Sequence, residues 1–271
     1  MSGMAPHSSN DIRFAFGANW RRFIECLNPA RIRQAQASLL EKTGLDSFAG
    51  KTFLDIGCGS GLFSLAARNL GATVHSFDYD PQSVACALEL RGRFRPDDSN
   101  WTIGQGSVLD RGYIESLRQF DIVYSWGVLH HTGAMRSALE NTAAAVKNNG
   151  LLFIAIYNDQ GARSTRWKNF KRLYVAAPRI VRPALAALVA ARFHTLTAIK
   201  RAVTRTLAPE HERGMHAWHD AVDWAGGYPF EVAKPEEIFD FCHARGFALR
   251  ALRTVGGGHG CNEFVFMKQQ H

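Results

Sequence analysis

From Phe53 to Tyr157, short apolar runs alternate with stretches in which apolar residues recur every three or four positions. The runs "KTFLDIG", "TVHSFDYD", "NWTIGQGSVLD", "FDIVYSW" and "GLLFIAIYND" predict five strands. The segments between them, "LFSLAARNLG", "PQSVACALELRGRF" (opened by Pro81) and "RSALENTAAAVKNNG" (stopped by Asn-Asn-Gly), predict helices. Strands alternating with helices imply a parallel sheet covered on both faces. Before them, residues 11–48 read as helical: Phe14, Trp20, Phe23, Ile24 and Leu27, then Ile32, Ala35, Leu39 and Leu40, keep roughly helical spacing. After them the rhythm breaks from Gln160 to Lys234, where no strand is evident. It resumes with a helix, "PEEIFDFCHARGF", and strands "ALRALRTV" and "NEFVFMK", which the short loop Gly256–Cys261 should pair antiparallel. The expected organisation is an N-terminal helical cover (1–48), an α/β core (49–159), a helical insertion or lid (160–234) and a C-terminal helix and strand pair completing the core (235–271).

Composition narrows the class. A chain of 271 residues, 46% hydrophobic and 21% charged, can bury a sizeable core as one large domain with an insertion. No run approaches the ~18 apolar residues of a membrane span, and "MSGMAPHSSNDIR" lacks the apolar centre of a signal peptide. Cys26, Cys58, Cys86, Cys242 and Cys261 are scattered and form no CxxC pair, so free thiols in a reducing cytoplasm are expected. The net charge of +8 is local. Arg163–Arg213 holds twelve Lys and Arg against Glu210 and Glu212, a net +10, which leaves −2 for everything else. A general affinity for nucleic acid does not follow from that distribution.

The chemistry begins at "FLDIGCGSG", where Asp55 stands before Gly57, Gly59 and Gly61. A dinucleotide turn, G-x-G-x-x-G, would need glycine at Leu62. A carboxylate there would repel a diphosphate and hold an ammonium group; a plain tight turn between strand and helix is the bland alternative. Asp78, 23 residues on at the end of the second strand, is placed to accept hydrogen bonds from ribose hydroxyls. Ammonium at one end and ribose at the other describe S-adenosylmethionine.

"LDIGCGSG", "FDYDP" and "FDIVYSWGVLHHT" resemble the cofactor motifs of class I S-adenosylmethionine-dependent methyltransferases, of the bacterial small-molecule type. The resemblance covers about residues 50–160. It implies a Rossmann-like seven-stranded sheet with a terminal antiparallel strand pair, the helical insertion falling before the last helix. It also implies that Asp55, Gly57, Cys58, Gly59 and Gly61 line the methionine end, and that Asp78 holds the ribose. Tyr79 would flank the adenine, Ser107 and Val108 would meet its edge, and Trp126 and Trp20 join the cofactor set. Many relatives carry Asp where this chain has Ser107.

Two acceptor classes are argued down. Exocyclic amines of DNA bases call for Asn/Asp-Pro-Pro-aromatic where this chain reads Ser125-Trp126-Gly127-Val128, and pyrimidine carbon-5 calls for a Pro-Cys pair that is absent. A hydroxyl acceptor needs a base, and His130 and His131 follow the fourth strand. His131 is the candidate base and His130 the structural ring, unless both only cap the turn. Tyr157 and Asn158 are rim candidates for orienting substrate. In the insertion, His216, His219, Asp220 and Asp223 fall on one helix face, open to three readings: a substrate-facing wall, which is preferred, a solvated surface, or a metal site. Tyr228 joins the substrate candidates, and no metal is assigned. The basic stretch, with Leu185, Leu188, Val189, Leu196, Ile199 and Val203 as an apolar stripe beside Arg192, Lys200, Arg201 and Arg205, reads as a lid, a membrane-surface helix or an RNA-binding face. The expectation is a cytoplasmic methyltransferase acting on a hydroxyl of a small molecule or sugar. A membrane lipid, a quinone-type headgroup or tRNA are the alternative acceptors, nucleic acid being the least favoured partner.

Overall fold

The computed structural model describes Ile24 and residues 27–178, 180–191, 222, 224–258 and 260–270. The described residues of Ala15–Ser164 and Glu231–His271 form one compact unit, and those of Thr165–Phe230 another.

The larger unit is built on seven strands: β1 (Thr52–Ile56), β2 (Thr73–Asp78), β3 (Trp101–Gln105), β4 (Phe120–Trp126), β5 (Val146–Tyr157), β6 (Phe247–Arg253) and β7 (Cys261–Lys268). Their order is β3-β2-β1-β4-β5-β7-β6. The first five run parallel, and β7 is antiparallel to both its neighbours. Both faces are covered, which is why β1 is buried at Phe53 and Leu54 alike. On one face Leu54, Ile56, Phe77, Val123 and Ile154 form a single apolar cluster with Ala138 and Leu139 of the helix Met135–Ala144. On the other, Phe53, Val74, Tyr124 and Phe153 meet α1 (Pro29–Thr43) and α2 (Leu62–Asn69). Fully burying each such side chain stabilises the fold by roughly 1.5–3 kcal/mol.

Three local expectations are corrected. Of the stretch expected to be helical, 11–48, the described residues are helical only at Ile24 and over Pro29–Thr43: α1 starts at Pro29, where the Asn28 side chain accepts from the Arg31 N–H at 3.0 Å, and Gly44 closes it. The third strand ends at Gln105 rather than running to Asp110. A turn follows, and Asp110 caps a short helix, Arg111–Ser116, by accepting from the Tyr113 N–H. The helix before β5 stops at Ala144, ahead of the Asn-Asn-Gly, because Val146 already pairs with Phe120. Asn149, at φ 61°, then bends within the strand. The strands "ALRALRTV" and "NEFVFMK" do pair antiparallel, closing the sheet as expected.

The smaller unit contains most of the helix Ala162–Ala176 and a second helical stretch over 182–191. Its core is Tyr174, Val175, Ala186, Val189 and Ala225. Lys171 is fully buried there: its ammonium donates to the Trp224 carbonyl and lies 4.3 Å and 4.9 Å from the centroids of the Trp224 and Phe230 rings. Of the expected apolar stripe, Leu185 and Val189 pack inward while Leu188 is 66% exposed. Leu196, Ile199 and Val203, the cations Arg192, Lys200, Arg201 and Arg205, and Trp20, His216, His219, Asp220 and Asp223 lie outside the described residues. Among the described residues no helix is long and apolar enough to cross a membrane.

Gly57 sits at φ 74°, and a Cβ there would fall 2.5 Å from both γ-carbons of Val128. Gly57→Ala should therefore cost on the order of 2–4 kcal/mol, combining overpacking with backbone strain. Adding Val128→Ala should restore only the overpacking part, because the backbone strain stays. Thermal melts of the single and double variants check this; equal losses in both would remove the steric contribution.

Candidate active site

At the carboxyl ends of β1 and β2, the register sets Asp55 beside Ser76. The glycine turn that follows β1 folds back onto the end of β2. The Gly57 and Cys58 N–H groups donate to the Phe77 carbonyl at 2.9 and 3.1 Å, and the Gly59 N–H donates to Asp78 Oδ2 at 2.9 Å. The Asp80 N–H takes the other carboxylate oxygen of Asp78 at 2.9 Å. Gly57, Gly59 and Gly61 all have positive φ (74°, 54° and 80°), the left-handed conformation that makes this fold-back possible.

Asp55 is 2% exposed, and its Oδ2 accepts a 2.5 Å hydrogen bond from the Ser64 hydroxyl. Burial pushes its pKa up to about 7; the Ser64 bond pulls it down and the nearby Asp78 charge pushes it up again. Burial also raises Asp78, to about 6, against the backbone bonds from Asp80 and Gly59 that favour its ionised form. The Cys58 thiol is pushed well above its ordinary value by burial and then by the two carboxylates, which makes it a poor nucleophile. Two crowded carboxylates of this kind favour a cation. The donor set therefore fits a ligand bearing an ammonium beside Asp55 and hydroxyls beside Asp78, the latter on the remaining lone pairs of its oxygens.

The other candidates are distributed as follows. Tyr79 is half exposed just past β2. Ser107 accepts the Leu109 N–H within its own turn at 3.2 Å, and the carbonyl of buried Val108 accepts from Asn141. Trp126 ends β4, with its indole N–H donating to Glu263 at 3.1 Å; Lys42 of α1 pairs with the same carboxylate at 3.0 Å. The turn Leu129–His131 sends its histidines different ways. His130 is fully buried, its Nδ1 accepting the Tyr157 N–H at 3.3 Å, and its ring lies 4.0 Å from that of Tyr157. His131 is half-buried and edge-on to Tyr157, with centroids 5.4 Å apart. Asn158 has both halves of its amide engaged, donating to the Gly256 carbonyl and accepting from Asn262, so it ties the β6–β7 loop to the end of β5. A cavity of about 450 Å³ opens beside it, lined by Asp159, Gln160, Arg163, Lys234 and Thr254 among others. Tyr228 belongs to the smaller unit.

Two contributors escape the sequence reading. Ser64 and Ser76 are buried polar residues on an apolar face, a faint signal that could have been seen. Glu231 gave none: its N–H donates to the His130 carbonyl at 2.9 Å, and its carboxylate accepts the Met135 N–H at 3.0 Å.

Residues 54–152 match the family model described as "Methyltransferase domain". The ubiquinone biosynthesis O-methyltransferase of Rhodopseudomonas palustris is 30% identical over 161 residues, covering 58% of this chain and 59% of that protein. The chain thus spans less than two thirds of the length of the curated relatives it matches. An O-methyltransferase family protein from Burkholderia thailandensis shares the fold with a TM-score of 0.55 at 17% identity, over 96% of this chain and 66% of that one. The magnesium protoporphyrin IX methyltransferase of Synechocystis, solved with bound SAH, gives 0.50 at 14% identity, over 99% and 90%.

The raised carboxylates set a pH dependence whose sign is fixed. Between the ordinary carboxylate pKa and their own values, Asp55 and Asp78 bind more protons in the folded protein than in the unfolded chain. The stability they contribute is full below about pH 4 and is lost as pH rises through 6 and 7. Asp55→Asn should thus melt above the parent at pH 8, by on the order of 3–4 kcal/mol, with the gap closing toward pH 4. A gap independent of pH would place the Asp55 carboxyl in the ordinary range.

Proposed function

We propose that this chain, a class I S-adenosylmethionine-dependent methyltransferase, transfers the methyl group to a hydroxyl of a small molecule or sugar. The observation that carries the reading is His131. Its imidazole is half-buried directly after β4, beside Tyr157, and is backed by the buried ring of His130 at 4.5 Å between centroids. The O-methyltransferase name of the Rhodopseudomonas relative supports an oxygen acceptor.

When bound, S-adenosylmethionine supplies an electrophilic methyl on a sulfonium. Asp55 would hold its ammonium, within the turn of Gly57, Cys58, Gly59 and Gly61, and Asp78 its ribose hydroxyls. Tyr79 would flank the adenine, with Ser107 and Val108 at its edge and Trp126 and Trp20 closing the set. His131 takes the proton of the acceptor hydroxyl. That keeps the oxygen's electron pair available for the methyl, while proximity and exclusion of water do the rest. His130 cannot do this, because its Nδ1 already accepts the Tyr157 N–H; it sets the pose of the loop. Tyr157 and Asn158 would orient the acceptor. The setting proposed is cytoplasmic, with nucleic acid the least favoured partner.

A second reading, an acceptor held at a membrane such as a lipid or quinone-type headgroup, is favoured by one feature. Leu173, Ile180, Val181 and Leu188 are exposed, Ile180 at 88%, among the exposed cations Arg166 and Arg172.

Both readings are testable. Labelled cofactor incubated with fractionated cell extract identifies the fraction that takes the methyl. In single turnover His131→Ala should lose roughly 10²–10⁴-fold in rate with near-normal cofactor affinity, whereas His130→Ala should lower the melting temperature more than the rate. A normal rate for His131→Ala would remove it as the base. For the second reading, flotation with vesicles containing anionic lipid should retain the protein and release an Ile180→Asp, Leu188→Asp variant. No binding by the parent would exclude it.

A further inference from the structure

Beneath Asp55 lies an uninterrupted chain of buried hydrogen bonds. The Trp101 indole N–H donates to Ser76 Oγ at 2.9 Å, Ser76 donates to Ser64 Oγ at 2.7 Å, and Ser64 donates to Asp55 Oδ2 at 2.5 Å. Ser64 and Ser76 are fully buried and Trp101 is 1% exposed, so no bulk water competes along it. The four residues come from three strands and a helix. Ser76 is the register partner of Asp55 on β2, Trp101 opens β3 beside Val74, and Ser64 lies in the first turn of α2 above them.

The direction of this chain is fixed at its far end. An indole N–H only donates, so Ser76 must accept from Trp101 and has its one proton for Ser64. Ser64 accepts that bond and has its one proton for Asp55. A proton on Asp55 Oδ2 would meet a hydroxyl already donating toward it, so the chain opposes protonation at that oxygen. We propose that Ser64, Ser76 and Trp101 are positioning residues that hold the Asp55 carboxylate oriented and ionised for the cofactor's ammonium. The proposal rests on the reading of Asp55 given under Proposed function.

Such a role acts against the surroundings. Burial raises the Asp55 carboxyl, Asp78 at the end of β2 adds to the rise, and the Ser64 bond is the largest influence in the opposite direction. The titratable groups facing the site from the packed elements are Asp78 from β2 and Cys58 from the glycine turn, and the thiol stays neutral. Losing the Ser64 donor should move the ionisation of Asp55 upward. Cofactor affinity relative to the parent would then fall near neutral pH and recover in alkali.

The test is cofactor affinity by calorimetry from pH 5.5 to 9, for the parent and for Ser64→Ala. The parent should weaken as pH falls through 7. In Ser64→Ala the midpoint should move up by about one pH unit, with a loss of roughly tenfold at pH 7 that shrinks to within about twofold at pH 9. Trp101→Phe keeps the ring and removes the donor, and should move the midpoint the same way by less. A loss equal at every pH, or a curve overlaying the parent's, would overturn the proposal and leave the cofactor assignment standing. Absence of binding by the parent at any pH would overturn both. A carbon-13 NMR titration of the Asp55 carboxyl in Ser76→Ala reads the same midpoint without cofactor. An unmoved midpoint there would also count against the chain.

Discussion

The bond from the Gly59 amide to the Asp78 carboxylate is the constraint on which the rest of the site depends. With the two amides donated to the Phe77 carbonyl, it welds the turn after β1 to the end of β2. A turn free to flex could keep Asp55 and Asp78 apart and solvated. Welded, it brings the ends of two strands together, with the Asp55 carboxylate buried and that of Asp78 partly so. The glycines follow from the same bond. Three positive-φ positions in five residues are what it takes to aim successive amides at a neighbouring strand end.

The cost appears as electrostatics. A carboxylate removed from water without a cation shifts its ionisation upward, and both acids do so here. The fold offsets part of that cost with donors: backbone amides on Asp78, a serine hydroxyl on Asp55. The remainder is a preference for a positively charged ligand, built into the fold. Tension of this kind is usual where binding geometry and stability pull apart.

Much of this was legible in the sequence, and the limits have physical reasons. The seven strands, the terminal hairpin and the glycine turn were readable because parallel strands buried on both faces leave unbroken apolar runs, and positive φ leaves glycine. The helical reading of 11–48 overruns the described helix at residues 27–28 and after Thr43, because apolar spacing alone does not register the start that Asn28 and Pro29 impose or the stop at Gly44. The early stop at Ala144 came from pairing of Val146 with Phe120, a contact across 26 positions that no local pattern encodes. The site divided along the same line. Asp55 and Asp78 announce themselves as charges at strand ends, whereas Ser64 and Ser76 look like filler in an apolar helix and strand. Glu231 acquires its role only when the chain returns from the insertion.

That return bears on how the histidine turn is held. The segment leaving β5 and the segment re-entering the larger unit are bonded to each other: Ala233 donates to the Tyr157 carbonyl at 3.0 Å, and Asp159 donates to the Ala233 carbonyl at 3.1 Å. Two residues earlier, the Glu231 N–H holds the His130 carbonyl, and its carboxylate caps the helix that follows the histidine turn. The roughly seventy intervening residues therefore begin and end at one point of the larger unit. Closing the loop there adds little strain whatever its length, because loop-closure cost grows only with the logarithm of length. A turn of about three residues each way sets neighbouring side chains about a third of a circle apart. With His130 fixed inward by Tyr157 and Glu231, His131 has its direction chosen for it. The insertion can thus vary in sequence and length while the segment returning from it still clamps the histidine turn through Glu231.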